Sequence, residues 1–225
     1  MYEEILNDKI RIKYFKNKFS LCNALLINFT RILNLYYSIS RKATIGLSGG
    51  DTPKLFYKIL FNSKFLKKNF NIILVDDRIV DNDSPISNFN LIKNSFKIKH
   101  REAILELNER NYILNTKIKK NKPFDLILLG MGLDGHIASI FDHNKIDKKN
   151  SNDRFENIKI IKKKNENFKR VSLSLEIIKN SRRRFLFIRG TEKLMLFKKL
   201  VNIKDLKIPI SNILNEDLTV YWSPN

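Results

Sequence analysis

Residues 124–141 read Phe-Asp-Leu-Ile-Leu-Leu-Gly-Met-Gly-Leu-Asp-Gly-His-Ile-Ala-Ser-Ile-Phe, and the fold turns on them. Leu126 to Leu129 form an unbroken apolar run that stops at Gly130. A run of this length bounded by glycine is how a strand buried on both faces of a parallel sheet presents itself. Asp134-Gly135-His136 then opens a segment expected to be helical. His136 is thereby placed just past the carboxyl end of a central strand, where open α/β sheets bind their ligands. Gly130, Gly132 and Gly135 let the backbone turn sharply and approach a ligand closely. A glycine-rich βα turn that merely carries a histidine accounts for the same residues, because short glycine motifs match by chance.

Upstream, Ala43 to Leu47 is a short apolar strand followed by Ser48-Gly49-Gly50-Asp51-Thr52-Pro53 and the helical pattern Leu55, Phe56, Ile59, Leu60. Strand, glycine pair, hydroxyls and a proline at the first helical position form the layout of an anion-binding loop. Backbone amides and the positive end of the helix dipole would face a phosphate, with the Ser48 and Thr52 hydroxyls as added donors. The loop lacks the GK[ST] element of a P-loop. The competing reading is an ordinary capped turn with Asp51 or Thr52 as the helix cap. The next strand, Asn71 to Val75, ends in Asp76-Asp77-Arg78, where Arg78 offers a planar fork for phosphate oxygens or else pairs with one of the two aspartates. Ser84-Pro85-Ile86-Ser87-Asn88 reads as a turn and helix cap, with structural capping as the favoured role for Asn88.

At 225 residues the chain is most simply one unit, 1–225, with no linker to divide it. A formal charge of +20 raises a nucleic-acid partner, yet the basic residues are spread along the whole length. Heavy use of Lys, Asn and Ile together points to A/T-rich coding as the source. The lone Cys22 excludes an internal disulfide and falls in an apolar helical stretch, expected to be a buried thiol. No apolar segment reaches membrane-spanning length and the start lacks a signal-peptide core, so a soluble cytoplasmic protein is expected.

Elsewhere, apolar spacing at Leu21, Leu25, Phe29, Ile32 and Leu35 predicts an amphipathic helix. Glu102 to Lys120 is a further helical candidate, ended by Pro123. His100 and His143 receive no role. The lysine- and asparagine-rich stretch from Asp142 to Lys169, with one short apolar piece at Ile158 to Ile161, is expected to be an exposed excursion or lid. Arg170 to Leu175 and Phe185 to Ile188 read as strands, the second leading into Gly190-Thr191-Glu192-Lys193 and a helix. Lys193 in the first turn of a helix conflicts with the dipole unless an anion sits there; alternatively it snorkels over the helix surface. Leu218 to Trp222 supplies a last strand. Strands alternating with helices predict an α/β fold: a single doubly wound, Rossmann-like domain with a mostly parallel sheet and helices on both faces.

Taken together, LSGGDTP (47–53), VDDR (75–78), SPISN (84–88), the 124–141 stretch, RVSLSL (170–175) and GTEK (190–193) are similar in order and spacing to the 6-phosphogluconolactonase family. The likeness runs from about Leu21 to Trp222. That family shares its fold with glucosamine-6-phosphate deaminases, which carry a similar glycine loop and a DGH or NGH turn. The resemblance implies hydrolysis of 6-phospho-D-glucono-1,5-lactone in the oxidative pentose phosphate pathway. It further implies His136 as general base with Asp134 beside it, and Gly49, Gly50, Thr52, Arg78, Arg170 and Lys193 around the substrate phosphate and sugar, to which the loop adds Ser48. Backbone amides of the glycine turn would hold the oxyanion. No cofactor, metal or covalent nucleophile is called for. The expected partner is a small phosphosugar lactone rather than a nucleic acid or membrane, and the expected assembly a monomer or weak homodimer.

The chain departs from the family pattern in three places: Asp77 where glutamate is usual, Ile137 where threonine is usual, and Asp142 where proline commonly follows. The shorter Asp77 is expected to loosen whatever it orients, and Ile137 is a deaminase-like choice. Against a deaminase, Ser139-Ile140-Phe141-Asp142 stands where those enzymes have FNEP, whose glutamate serves their chemistry. The remaining alternatives are a basic nucleic-acid-binding protein and a phosphosugar-binding regulator that has lost activity.

Overall fold

The computed structural model describes residues 1–38, 42–63, 70–96, 104–107, 118, 123–142, 145 and 157–224. His100, His143 and most of the expected helix 102–120 lie outside them. In order, the described elements are β1 (Tyr2–Ile5), β2 (Ile10–Tyr14), α1 (Lys18–Ser38), β3 (Ala43–Leu47), α2 (Lys54–Asn62), β4 (Phe70–Leu74), β5 (Asp76–Arg78), α3 (Asn88–Ser95), β6 (Ile104–Leu105) and β7 (Leu126–Leu129). They continue with β8 (Ile158–Ile161), β9 (Arg170–Leu173), α4 (Leu175–Lys179), β10 (Arg184–Arg189), α5 (Thr191–Ile203), a 3-10 turn (Pro209–Ile213) and β11 (Leu218–Ser223).

Eight of the strands form one sheet in the order β1-β2-β11-β10-β7-β3-β4-β6. Every neighbouring pair is parallel except β1 with β2. This is the expected doubly wound α/β sheet. The chain leaves β3 toward β4 and β6 but leaves β7 toward β10 and β11, so the switch point lies between β3 and β7. All four residues of β7 and all five of β3 are buried. Each aliphatic side chain so buried stabilises the fold by at most about 1.5–3 kcal/mol. Helix α1 buries Leu21, Cys22, Leu25 and Phe29 completely, but burial ends at Leu33, and Leu35 on the same stripe is 57% exposed.

Two expectations are corrected. Asp76-Asp77-Arg78 is not the frayed end of β4 but a strand of its own, in a second, antiparallel sheet of order β5-β9-β8. The stretch expected to be an exposed excursion supplies β8, whose Ile158, Ile160 and Ile161 are buried against the core. This is the one short apolar piece that the sequence shows in that stretch, and residues 143, 144 and 146–156 of the stretch lie outside the described ones.

Asp77 explains how the small sheet is fastened to α3. Its Oδ1 accepts from the amides of Asn88 at 2.6 Å and Arg78 at 2.7 Å, and its Oδ2 from the Phe89 amide at 2.9 Å and the Ser87 hydroxyl at 3.2 Å. A carboxylate thus sits on the first amides of α3, where the helix dipole favours it. Burial pushes this carboxyl up, and the three amides pull against that shift. The shorter side chain therefore reaches its donors without slack, contrary to the expectation that it would loosen them. Asp77→Ala should cost about 2–4 kcal/mol by orphaning buried donors. Urea denaturation should show this as a lower midpoint at unchanged slope, with Asp77→Asn recovering part of the loss; a cost below about 1 kcal/mol would contradict the assignment.

Candidate functional site

A cavity of about 360 Å³ opens at the carboxyl ends of β3 and β7, within the size range of small-ligand sites. Ser48, Gly49, Gly50, Thr52, Arg78, His136, Arg170 and Lys193 all line it. Asp134 does not, but holds His136 from outside the cavity.

The segment after β7 is not helical. Gly132 N–H donates to the His136 carbonyl at 2.9 Å, Gly135 N–H to the Gly132 carbonyl at 3.1 Å, and Ile140 N–H to the Ile137 carbonyl at 2.9 Å, closing a compact turn instead. These bonds also commit the Gly132 and Gly135 amides, so neither is available as the oxyanion donor expected from the sequence. At Gly132 the requirement is close approach: a Cβ there would lie 2.2 Å from His136 Cε1 and Nδ1 and 2.6 Å from Asp134 Oδ1. The space so kept is filled by the His136–Asp134 pair, with Nδ1 and Oδ1 2.5 Å apart. Phe141 packs on the imidazole with ring centroids 4.7 Å apart. A carboxylate on Nδ1 selects the tautomer with the proton there, leaving Nε2 as an acceptor.

Lys145 Nζ donates to the other Asp134 oxygen at 2.6 Å. Burial works to raise the Asp134 carboxyl, but the hydrogen bonds from Lys145 and then His136 outweigh it and hold the group well below the usual carboxylate range.

Opposite His136, the 48–52 loop presents donors. The cap position of α2 is occupied by Pro53 with no side-chain hydrogen bond, which removes Asp51 and Thr52 as caps. Asp51 instead points outward to Lys54 at 3.1 Å. Among the described residues, the amides of Gly49, Gly50, Asp51 and Thr52 donate to no protein acceptor. The Ser48 hydroxyl is buried without a partner, while Tyr57 OH donates to the Ser48 carbonyl. Gly49 is required by contact, since a Cβ would fall 1.8 Å from Asn88 Oδ1. That oxygen accepts from Arg78 Nη1 at 2.6 Å, while Asn88 Nδ2 donates to the Asp76 carbonyl at 2.9 Å. Asn88 is thus a brace for Arg78, not the helix cap; Ser87 caps α3 by accepting from Asn90 N–H. Arg78 pairs with neither Asp76 nor Asp77 through its guanidinium.

Arg78 and Arg170 are direct cross-strand partners in the small sheet. Like charges placed so repel unless something intervenes. Arg170 is clamped by Glu166, with Nε and Nη2 each 2.8 Å from a carboxylate oxygen. Its guanidinium also lies over Phe141 at 5.5 Å and Phe168 at 5.3 Å. The expected role of Arg170 narrows accordingly: Glu166 engages Nε and Nη2, and among the described residues Nη1 has no protein acceptor. Lys193 has no carboxylate partner among the described residues. Burial, then the neighbouring Arg189, pushes its ammonium below the ordinary lysine value. A lysine lining a cavity in this state is not snorkelling.

Four residues of the site were not singled out from sequence. Asp76 lines the cavity and accepts from the Ser139 hydroxyl at 2.6 Å, while Ser139 itself is fully buried and is not part of the cavity lining. Asn88 and Asp76 sit inside recognisable motifs. Lys145 and Glu166 lie in the lysine- and asparagine-rich stretch, where nothing marks them apart. No group of three or more metal-ligating side chains converges among the described residues.

Residues 16–222 match the family model of glucosamine-6-phosphate isomerases/6-phosphogluconolactonase. The chain is 31% identical over 212 residues to a 6-phosphogluconolactonase of Helicobacter pylori, covering 89% of this chain and 91% of that protein. It is 30% identical over 208 residues to one of Haemophilus influenzae, covering 84% and 87% respectively. The crystal structure of a 6-phosphogluconolactonase from Shewanella baltica superposes with a TM-score of 0.82 at 22% identity, covering 98% of this chain and all of that one, which shows a shared fold.

Because Asp134 is held below its unfolded value, its contribution to stability is full above about pH 4 and is lost as pH falls further toward the folded value. The stability difference between the wild type and Asp134→Asn should therefore shrink steadily from about pH 4 to pH 2 in denaturant titrations. A difference that stays constant over that range would place the carboxylate outside the His136–Lys145 bridge.

Proposed function

The chain belongs to the family of glucosamine-6-phosphate isomerases and 6-phosphogluconolactonases, and on that premise we propose that it is itself a 6-phosphogluconolactonase. It is a carboxylic ester hydrolase that opens 6-phospho-D-glucono-1,5-lactone to 6-phospho-D-gluconate in the oxidative pentose phosphate pathway. One observation carries the reading: an imidazole oriented by a carboxylate shares a single cavity with a wall of loop amides, a buried hydroxyl and basic side chains. A sugar phosphate has its reactive carbon at one end and its double charge at the other, which is the polarity of this cavity.

In this mechanism the loop 48–52, Arg78 and Lys193 hold the phosphate, and Asp76 accepts from sugar hydroxyls. His136 Nε2 removes a proton from water as its oxygen adds to the lactone carbonyl carbon, moving an electron pair onto the carbonyl oxygen. Collapse of that tetrahedral species breaks the bond to the ring oxygen, which takes the proton back from the imidazolium. Such acid-base help is worth roughly 10²- to 10⁴-fold. Binding energy from the remote phosphate keeps the carbonyl carbon against the water.

Neither departure at Asp77 nor that at Ile137 weakens the reading. Asp77 reaches all its donors, and Ile137 is fully buried between Met131 and Ile140, so its identity reports packing rather than deaminase chemistry. The same reading has residues 1–225 act as one unit in the cytoplasm, as a monomer or weak homodimer, with no cofactor and no nucleic-acid or membrane partner. No described helix is long and apolar enough to cross a membrane.

The test is acid release from freshly made lactone with spontaneous opening subtracted. Wild type should accelerate it, His136→Ala should lower kcat by roughly 10²- to 10⁴-fold with little change in KM, and Lys193→Met should chiefly raise KM. Absence of acceleration, or ammonia release from glucosamine 6-phosphate, would overturn the assignment.

A further inference from the structure

We propose that Lys145 is a positioning residue for His136: its ammonium fixes the Asp134 carboxylate that orients the imidazole, and its charge biases that imidazole toward the free base. The inference rests on the reading of His136 as general base. Asp134 spends one oxygen on the ring and the other on the ammonium, at 2.5 Å and 2.6 Å. With a donor on each oxygen, the carboxylate is fixed against rotation about its Cβ–Cγ bond. Lys145 is itself anchored on both sides of its α-carbon. Its N–H donates to the Asp142 carbonyl and its carbonyl accepts from Lys164 N–H, both at 2.9 Å. Two residues on from Lys164 is Glu166, the clamp on Arg170. One short segment therefore steadies both the base and a cation of the facing wall.

As a surface ion pair, the Lys145–Asp134 contact would add little to stability, since the lysine side chain is 43% exposed. Its consequence lies in where the second oxygen goes. A carboxylate alone beside an imidazole favours the imidazolium, which cannot accept a proton from water. A cation on the far oxygen offsets that pull while leaving the orienting hydrogen bond in place.

Other charged groups also face His136. Asp76 and Arg78 come from β5, Arg170 from β9 and Lys193 from α5, all lining the same cavity, with Asp51 of the glycine loop at its rim and turned outward to Lys54, while Lys163 lies over the Phe141 ring that packs on the imidazole. All remain in a Lys145 variant, so a difference measurement isolates the lysine.

The experiment compares wild type, Lys145→Met and Lys145→Arg in the full chain by two readouts. One is the pH profile of kcat/KM on the lactone. The other is an NMR titration of the imidazole, one of three histidines in the chain, its signal assigned by its loss in His136→Asn. For Lys145→Met, the acid limb and the imidazole midpoint should both move up by about half a unit to one unit, the size expected of a screened charge one carboxylate away. Its kcat should fall several-fold with KM held, and Lys145→Arg should restore both. A limb and midpoint within about 0.2 unit of wild type, or an Arg variant that behaves like Met, would overturn the inference. If wild type does not hydrolyse the lactone, the functional reading fails, and the NMR midpoint by itself decides whether Lys145 tunes the ring.

Discussion

The pairing of β7 with β3 is the constraint on which the site depends. Ile45 lies opposite Leu126, Gly46 opposite Ile127 and Leu47 opposite Leu128, and the register continues one step further as Ser48 N–H donates to the Leu128 carbonyl. Two loops consequently emerge at the same edge of the sheet, one strand spacing apart, about 4.8 Å. In the main sheet β3 is followed by β4 on one side and β7 by β10 on the other, which makes this pair the switch point of the fold. The gap between imidazole and loop amides is set by backbone pairing, not by side-chain reach.

A second frame supplies what the main sheet lacks. The three-stranded sheet carries Asp76, Arg78 and Arg170 to the cavity, and Asp77 fastens it to α3. The Ser139 hydroxyl on Asp76 ties the histidine turn to this frame from the far side, and Ser139 N–H reaches the Ser172 hydroxyl at 3.3 Å. The imidazole, the loop and the cations are each mounted on a different piece of backbone, and buried hydrogen bonds join the pieces. That arrangement holds a constellation more closely than long side chains on mobile loops could.

The central strands and the identity of most cavity residues were legible because their signals are local. An apolar run stopped by glycine marks β7, and a strand before a glycine pair marks β3. The turn at His136 misled, since Asp134 through Ile140 carries no helix breaker beyond Gly135, and the bonds that close the turn depend on where Gly132 and His136 meet in space. The second sheet was hidden because β5 is three residues long and its partner β9 follows almost a hundred residues later. Asn88 looked like a cap because its motif resembles one; its real neighbour, Gly49, is distant in sequence. Lys145 and Glu166 could not be found at all, since single charges in a charged stretch acquire meaning only through their partners.

Gathering basic side chains and unengaged loop amides around one cavity has a consequence for the lifetime of the molecule as well as for recognition. A dianion bound by the loop amides, Arg78 and Lys193 would add to the stability of the folded chain as RT ln(1 + [L]/Kd), so occupancy and folding would draw on the same free energy. Inorganic phosphate, bound in the same cavity, would by the same relation shield the chain from unfolding.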